Sequence, residues 1–404
     1  MNRRTAARLL LAMLLPLVLG GCWERRELNE MAFVLGMGID KAEAGYRVSL
    51  QVVIPSAISS QVAGGAGSGG VPVVEYAFTV PTIYETLRKF NLVSSRSAYL
   101  GHIRVLVFGE ELAREGLGET LDVLKRSRES RMDFYVMVAR NTSAENVLKV
   151  LTPLDKIPAS KLFNALDKSY RISAKTVAVS LDEFIEDLLA EGNNPVLTGV
   201  ELSGEADKGE KKGNVEQTTP EVRLRYESVA VFRKDRMLGW LKDQETVGYN
   251  YLTNKVVKNS GSVAGEDGKP IVVESLQTST KRKVRMIGGE PHIFIDATLT
   301  SNIQEVFSTD NLEAERQIEK IERKAEEVLV TKMKNAYEGI TQRFNTDIFG
   351  FGQIIYQKSP KAWYRLQQKH GDDYLRSLPV HYKAKVTINR IGTIDRTILD
   401  EIKE

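Results

Sequence analysis

Val380-His381-Tyr382-Lys383-Ala384-Lys385-Val386-Thr387-Ile388-Asn389 is the stretch that decides the fold. Successive side chains on a strand point to opposite faces. One face is therefore Val380, Tyr382, Ala384, Val386 and Ile388; the other is His381, Lys383, Lys385, Thr387 and Asn389. A strand that is apolar on one side only belongs to an antiparallel or mixed sheet with one solvated face, whereas a doubly wound parallel sheet shows near-continuous apolar runs. Ile293, Ile295, Ala297 and Leu299 alternate in the same way. The fold class is read as α+β, in two to three domains, with mixed or antiparallel sheets packed by helices.

Working back from this strand, Ile318, Ile321, Ala325 and Val328 step by three and four along a helix expected over roughly 310–340. The pattern covers too few heptads for a coiled coil, so the helix is expected to pack on a sheet. Val222–Phe232 and Met237–Leu241 flank Arg233-Lys234-Asp235-Arg236 as a hairpin. Further strands are expected at Ala32–Ile39, Tyr46–Ile54, Val71–Val80, Ile103–Phe108, Phe134–Ala139 and Val196–Leu202. Capping boxes at Thr82-x-x-Glu85 and Ser180-x-x-Glu183 open two helices, and Leu117, Leu121 and Leu124 mark another. Residues 203–220 hold no aromatic side chain and only Ala206 and Val215 as apolar ones, as a linker or exposed loop does. They separate an N-terminal α+β region, 22–202, from a C-terminal one, 221–404, the latter open to a further division near 280.

A chain of 404 residues is too long for one compact core. With 42% hydrophobic and 27% charged residues, wholesale disorder is excluded. The net charge of +3 resides in the leader: residues 1–21 carry Arg3, Arg4 and Arg8 and no acid, leaving 53 basic against 53 acidic side chains. A neutral mature chain has no global field for nucleic acid, and none is expected as a partner. The sole cysteine, Cys22, rules out an internal disulfide. The apolar run Leu9–Leu19 is eleven residues, short of the roughly 20 of a spanning helix. It ends in Leu19-Gly20-Gly21-Cys22, with small residues before a cysteine as lipoprotein processing requires. Residues 1–21 are thus expected to be a signal peptide and Cys22 to carry lipid, holding the chain on the outer face of the cell membrane. Val48–Val74 lacks charge, yet its five glycines and two prolines make it strand, loop and strand rather than a lipid-facing helix.

Motifs for chemistry are scarce. Gly65-x-Gly67-x-x-Gly70 matches the dinucleotide fingerprint, but strand-like Val71-Pro72-Val73-Val74 follows where a helix is required. His102, His292, His370 and His381 are scattered without zinc-ligand spacing, and no Gly-x-Ser-x-Gly elbow occurs. No catalytic, cofactor-binding or metal-binding residue is assigned, no cofactor is expected, and the chain is read as no enzyme. Lys281-Arg282-Lys283 with Arg285 is read first as a solvated strand face and second as a contact for anionic lipid or a partner. Trp363 is read as the core of a short helix.

Cys22-Trp23-Glu24-Arg25-Arg26-Glu27-Leu28-Asn29-Glu30, running to Gly36-Met37-Gly38-Ile39-Asp40, resembles the start of the C-subunit lipoproteins of spore germinant receptors. Three later blocks agree with that family: Glu227–Phe232 running into Gly239-Trp240-Leu241, Asp347-Ile348-Phe349-Gly350-Phe351-Gly352, and the closing strand with Ile391-Gly392. The glycine-rich 63–70 departs from it. The resemblance implies three mixed α/β domains and no enzymatic activity. It also implies a lipoprotein on the outer face of the spore inner membrane, beside membrane-embedded A and B receptor subunits that respond to nutrients. Cys22 is the position that carries over. Next to the anchor, Trp23, Arg25, Arg26 and Glu27 are candidate partner contacts, or else an ordered lead-in to the first strand. The competing readings are the substrate-binding lipoprotein of a transporter, built as two lobes around a cleft, and an anchored envelope enzyme.

Overall fold

The computed structural model describes residues 4–5, 27–57, 71–126, 131–308, 310, 312 and 315–390. The glycine-rich 63–70 and the pair Ile391-Gly392 lie outside the described residues.

The chain opens as an antiparallel meander of β1 (Met31–Ala42), β2 (Gly45–Val53) and β3 (Val73–Val80). Gly45 makes the first turn at φ 94°, where an added Cβ would lie 2.3 Å from the Val80 carbonyl oxygen. Then α1 (Glu85–Val93) and β4 (Ser97–Tyr99) bring the chain back to β5 (Val105–Gly109), which pairs parallel with β1. Next come α2 (Glu110–Glu115), α3 (Gly118–Arg126) and β6 (Tyr135–Ala139). Three helices, α4 (Ala144–Lys149), α5 (Pro158–Ile172) and α6 (Leu181–Leu189), precede β7 (Val196–Ser203). Short α7 (Ala206–Gly209) and α8 (Gly213–Glu216) lead to β8 (Arg223–Arg233) and β9 (Arg236–Trp240). The order is β3-β2-β1-β5-β6-β7-β8-β9, with β4 beside the start of β1.

The outer strands are antiparallel and the middle, β1-β5-β6-β7, is parallel. Every residue of β5 is buried. Leu106 and Phe108 join the large core on one face of the sheet; Val105 and Val107 join a separate core on the other, with Leu162 and Leu166 of α5. Helices cover both faces here, which is why alternation vanishes from this strand.

The second sheet follows α9 (Asp243–Leu252) and is ordered β10 (Asn259–Ala264), β11 (Pro270–Ile287), β12 (Glu290–Val306) and β13 (Val380–Arg390). Between β12 and β13 run α10 (Glu315–Phe344), α11 (Phe351–Lys358), α12 (Pro360–His370) and α13 (Tyr374–Ser377). As the periodicity implied, α10 packs on the sheet: Leu329, Met333, Ala336 and Ile340 share a core with Ile293, Ile295, Ala297, Leu299 and Val386. β13 is an edge strand, and an exposed edge invites pairing with another chain. Glu326 accepts a hydrogen bond from Val386 N at 3.1 Å and Glu322 one from Ile388 N at 2.7 Å, closing part of that edge.

Two local expectations, the Thr82 cap and the scattering of the histidines, turn out differently, and the 203–220 segment makes specific contacts. Residues 203–220 are pinned to the first region by Asn214, which is 2% exposed. Its side chain donates to the carbonyls of Leu151 (2.9 Å) and Val222 (3.0 Å) and accepts from Val222 N (2.9 Å). The segment joins β7 and β8, which are hydrogen-bonded neighbours in the first sheet. Thr82 does not cap α1; its hydroxyl donates to the Glu85 carboxylate at 3.3 Å, and the helix begins at Glu85. The four histidines are not all scattered, since His292 and His381 meet across β12 and β13 at 3.0 Å. The Ser180–Glu183 box is formed in both directions, at 3.2 and 2.9 Å.

Candidate functional site

Of the residues singled out at and beside Cys22, Cys22, Trp23, Arg25 and Arg26 lie outside the described residues, and Glu27 is exposed. The Glu27 carbonyl accepts from Glu30 N at 3.0 Å, closing the short turn Leu28–Glu30 that leads into β1. Five residues of chain span at most about 18 Å, so Glu27 is held within that distance of Cys22 whatever path lies between. Apolar side chains gather at this end of the molecule. Leu28 is 71% exposed, and at the end of α1 Leu92 and Val93 are 84% and 60% exposed. Tyr84, Arg88 and Leu92 recur every four residues on the outward side of α1, with the Arg88 guanidinium 5.7 Å over the Tyr84 ring. Glu30 and Met31 adjoin α1 and β4 across a cleft of about 270 Å³ lined also by Leu87, Asn91 and Ser97–Tyr99. His102 is taken up in aromatic packing, 5.6 Å from Phe33 and 5.4 Å from Tyr99.

A groove of about 550 Å³ lies where β1, β5 and β6 end. The carboxyl ends of parallel strands are where open α/β sheets bind ligands. Its charges, however, are engaged with one another. Lys41 lies 2.9 Å from Glu115, and Arg114 lies 2.6 Å from Glu110. Asp40 accepts from the backbone N–H groups of Ala144 (2.8 Å) and Glu145 (3.0 Å), fixing the start of α4, and burial pushes its carboxyl up. A charged ligand would have to displace these pairs.

Buried ionisable groups elsewhere serve packing. Lys161 donates to the Leu224 carbonyl at 2.7 Å, and burial lowers it to about 8. Glu145 is held down to about 2 by hydrogen bonds from Arg47 (2.7 and 3.1 Å) and, against some burial, from Lys149 (2.7 Å). Among the described residues no three His, Cys, Asp or Glu side chains are grouped to hold a metal ion.

Glu75 on β3 is the exception. Both its carboxyl oxygens are buried without a hydrogen-bond partner, and desolvation pushes it up to about 8. Its folded value is raised, so the folded chain keeps a proton that the unfolded chain releases above the ordinary carboxylate range. Stability is therefore fully present below about 4.5, falls as pH rises to about 8, and is level beyond. Glu75→Gln is expected to change stability by about 1 kcal/mol or less at pH 5 and to raise it by about 4 kcal/mol at pH 8, read from urea unfolding at both values. An equal effect at both would refute the assignment.

Residues 24–202 match the family model described as the spore germination protein N-terminal domain. Residues 227–392 match the one described as spore germination B3/GerAC like, C-terminal. The chain is 32% identical over 400 residues to spore germination protein KC of Bacillus subtilis (strain 168), covering 98% of each. Spore germination protein B3 of the same organism is 21% identical over 402 residues, covering 97% of this chain and 100% of that one. The crystal structure of the GerBC protein superposes with a TM-score of 0.54 at 17% identity, covering 90% of this chain and 99% of that chain, and so shares the fold.

Proposed function

The chain belongs to the GerAC-like family of spore germination proteins, and from that premise we propose that it is the lipid-anchored, non-catalytic C subunit of a nutrient-responsive germinant receptor. The observation that carries this reading is the match to protein KC along 98% of both chains, combined with the run Leu19-Gly20-Gly21 directly before the sole cysteine, Cys22. Among the described residues no helix is long and apolar enough to cross a membrane. In this reading the chain reaches the outer face of the spore inner membrane through its acylated cysteine, and meets membrane-embedded A and B subunits through its surface. Leu28, Leu92 and Val93, exposed within a short tether of Cys22, are placed to face that membrane or those subunits.

Purification of the acylated chain from spore membranes in mild detergent tests this directly. Two multi-spanning proteins are expected to accompany it in fixed ratio. A chain that emerges alone, and that binds nutrients tightly by itself, would instead be the capture protein of a transporter.

A further inference from the structure

Cations from two strands gather on the outward face of the second sheet. Lys281, Lys283 and Arg285 of β11 and Lys383 and Lys385 of β13 are all exposed. The pairing register sets Lys281, Asp296 and Lys383 in one row and Lys283, Phe294 and His381 in the next. Asp296 is the sole carboxylate in these rows, and among the described residues none of the five cations forms an ion pair. Planar groups stack beneath them: the Arg285 guanidinium lies 4.7 Å over Phe294, Phe294 lies 4.5 Å from His381, and His381 lies 5.3 Å from His292. The arrangement is a firm, flat, basic face.

This face ends at the β11–β12 turn. Gly288 and Gly289, at φ 60° and 86°, form a two-residue turn of the kind that requires positive φ at both positions. Beside it Met286 and Ile287 are 41% and 48% exposed. The nearby carboxylate, Glu290, is held by Lys369 at 3.0 Å. Ahead of the turn, β11 is tied through α11 to the first sheet at the end where β1 begins. Arg282 of β11 donates to the Phe349 carbonyl, and Gln353 of the adjoining α11 donates to Gly192 O, just before β7. β7 runs parallel to β1 through β6 and β5, so α11 sits at the end of the first sheet where β1 begins.

We propose that this basic face docks on anionic phospholipid headgroups, with Met286 and Ile287 at the turn entering the interface. The proposal rests on the anchor reading for what brings the face to a bilayer. Lysines beside exposed aliphatic side chains match the charge above and the hydrocarbon below a membrane surface. The Glu322 and Glu326 carboxylates occupy N–H groups of the β13 edge that addition of a peptide strand would need.

The test uses the mature chain with Cys22→Ser, so that no acyl group contributes, and flotation with vesicles of phosphatidylcholine alone or mixed with phosphatidylglycerol. Binding is expected only to the mixed vesicles. Replacing Lys281, Lys283 and Lys383 together by glutamine is expected to weaken it about a hundredfold, about fivefold per lysine, which converts to about 1 kcal/mol each. Ile287→Asp, with the lysines intact, is expected to weaken it severalfold. These side chains point outward, so an unchanged thermal transition verifies the fold of each variant. Equal binding to both vesicle types, or undiminished binding by the triple variant, overturns the proposal. So does capture of an acidic protein by this face without any preference for phosphatidylglycerol. A failure here leaves the anchor reading standing, and a bare Cys22 thiol in native protein would sink that reading without altering the vesicle result.

Discussion

Asp347→Ala is expected to lower the melting temperature by about 5 °C, the equivalent of about 4 kcal/mol. Asp347 is 3% exposed, and its carboxylate accepts three hydrogen bonds: Phe349 N at 2.9 Å, Gly352 N at 2.7 Å and the Tyr374 hydroxyl at 2.5 Å. Burial pushes the carboxyl up, against the pull of those donors. Truncation leaves three buried donors unsatisfied, each costing about 1–3 kcal/mol. The loss would spread, because the segment knots the molecule together. Gly350 takes the left-handed region at φ 69°, and an added Cβ on Gly352 would lie 2.6 Å from Trp363 and 2.7 Å from the Tyr374 hydroxyl. Gly192, at φ 70°, leaves room for Gly352 from the first region: its added Cβ would come within 2.6 Å of the Gly352 carbonyl carbon. Asp347→Asn, which keeps the shape and one acceptor oxygen, is expected to lose about half as much. Thermal unfolding by circular dichroism decides the matter, and a shift below about 3 °C for the alanine variant would mean that the donors find water instead.

The elements legible in the sequence were those with one wet side. β12 and β13 alternate because α10 covers only their inner face, and the periodicity of α10 is the complement of theirs. β5 was legible as a strand but not as a parallel one, since burial on both faces erases the alternation on which that argument rests. α4 and α5 were missed. α4 has six residues, too few for a period to show, while Pro158 at the start of α5 was a usable signal for a first turn. The expected anchor rests on a contiguous stretch, Leu19-Gly20-Gly21-Cys22, because processing would act on adjacent residues. The basic face was not: Lys281 and Lys283 are separated from Lys383 and Lys385 by about a hundred residues, and only the β12 register unites them. Gly288-Gly289 was the local sign of the hairpin, a two-residue turn between long strands.

Cys22→Ala is expected to have the largest effect of any single substitution, moving the chain from the membrane pellet to the soluble fraction. Each buried methylene contributes about 0.8 kcal/mol, and two or more acyl chains hold a protein stably where one gives marginal, reversible binding. What remains without lipid is small. Leu28, Leu92 and Val93 are exposed at the tethered end, and burying such a side chain fully yields about 1.5–3 kcal/mol before the cost of ordering. The two contributions also differ in kind. Acyl insertion ignores salt, whereas attraction between lysines and headgroups is screened within about 3 Å at 1 M ionic strength. The parent chain is thus expected to resist a high-salt wash of the membranes, and any residual binding of the Cys22→Ala chain to be removed by it. Sedimentation before and after the wash, with mass spectrometry of the N-terminal peptide, separates the cases. A variant that stays in the pellet through the wash would show that something other than the Cys22 lipid holds this protein to the membrane.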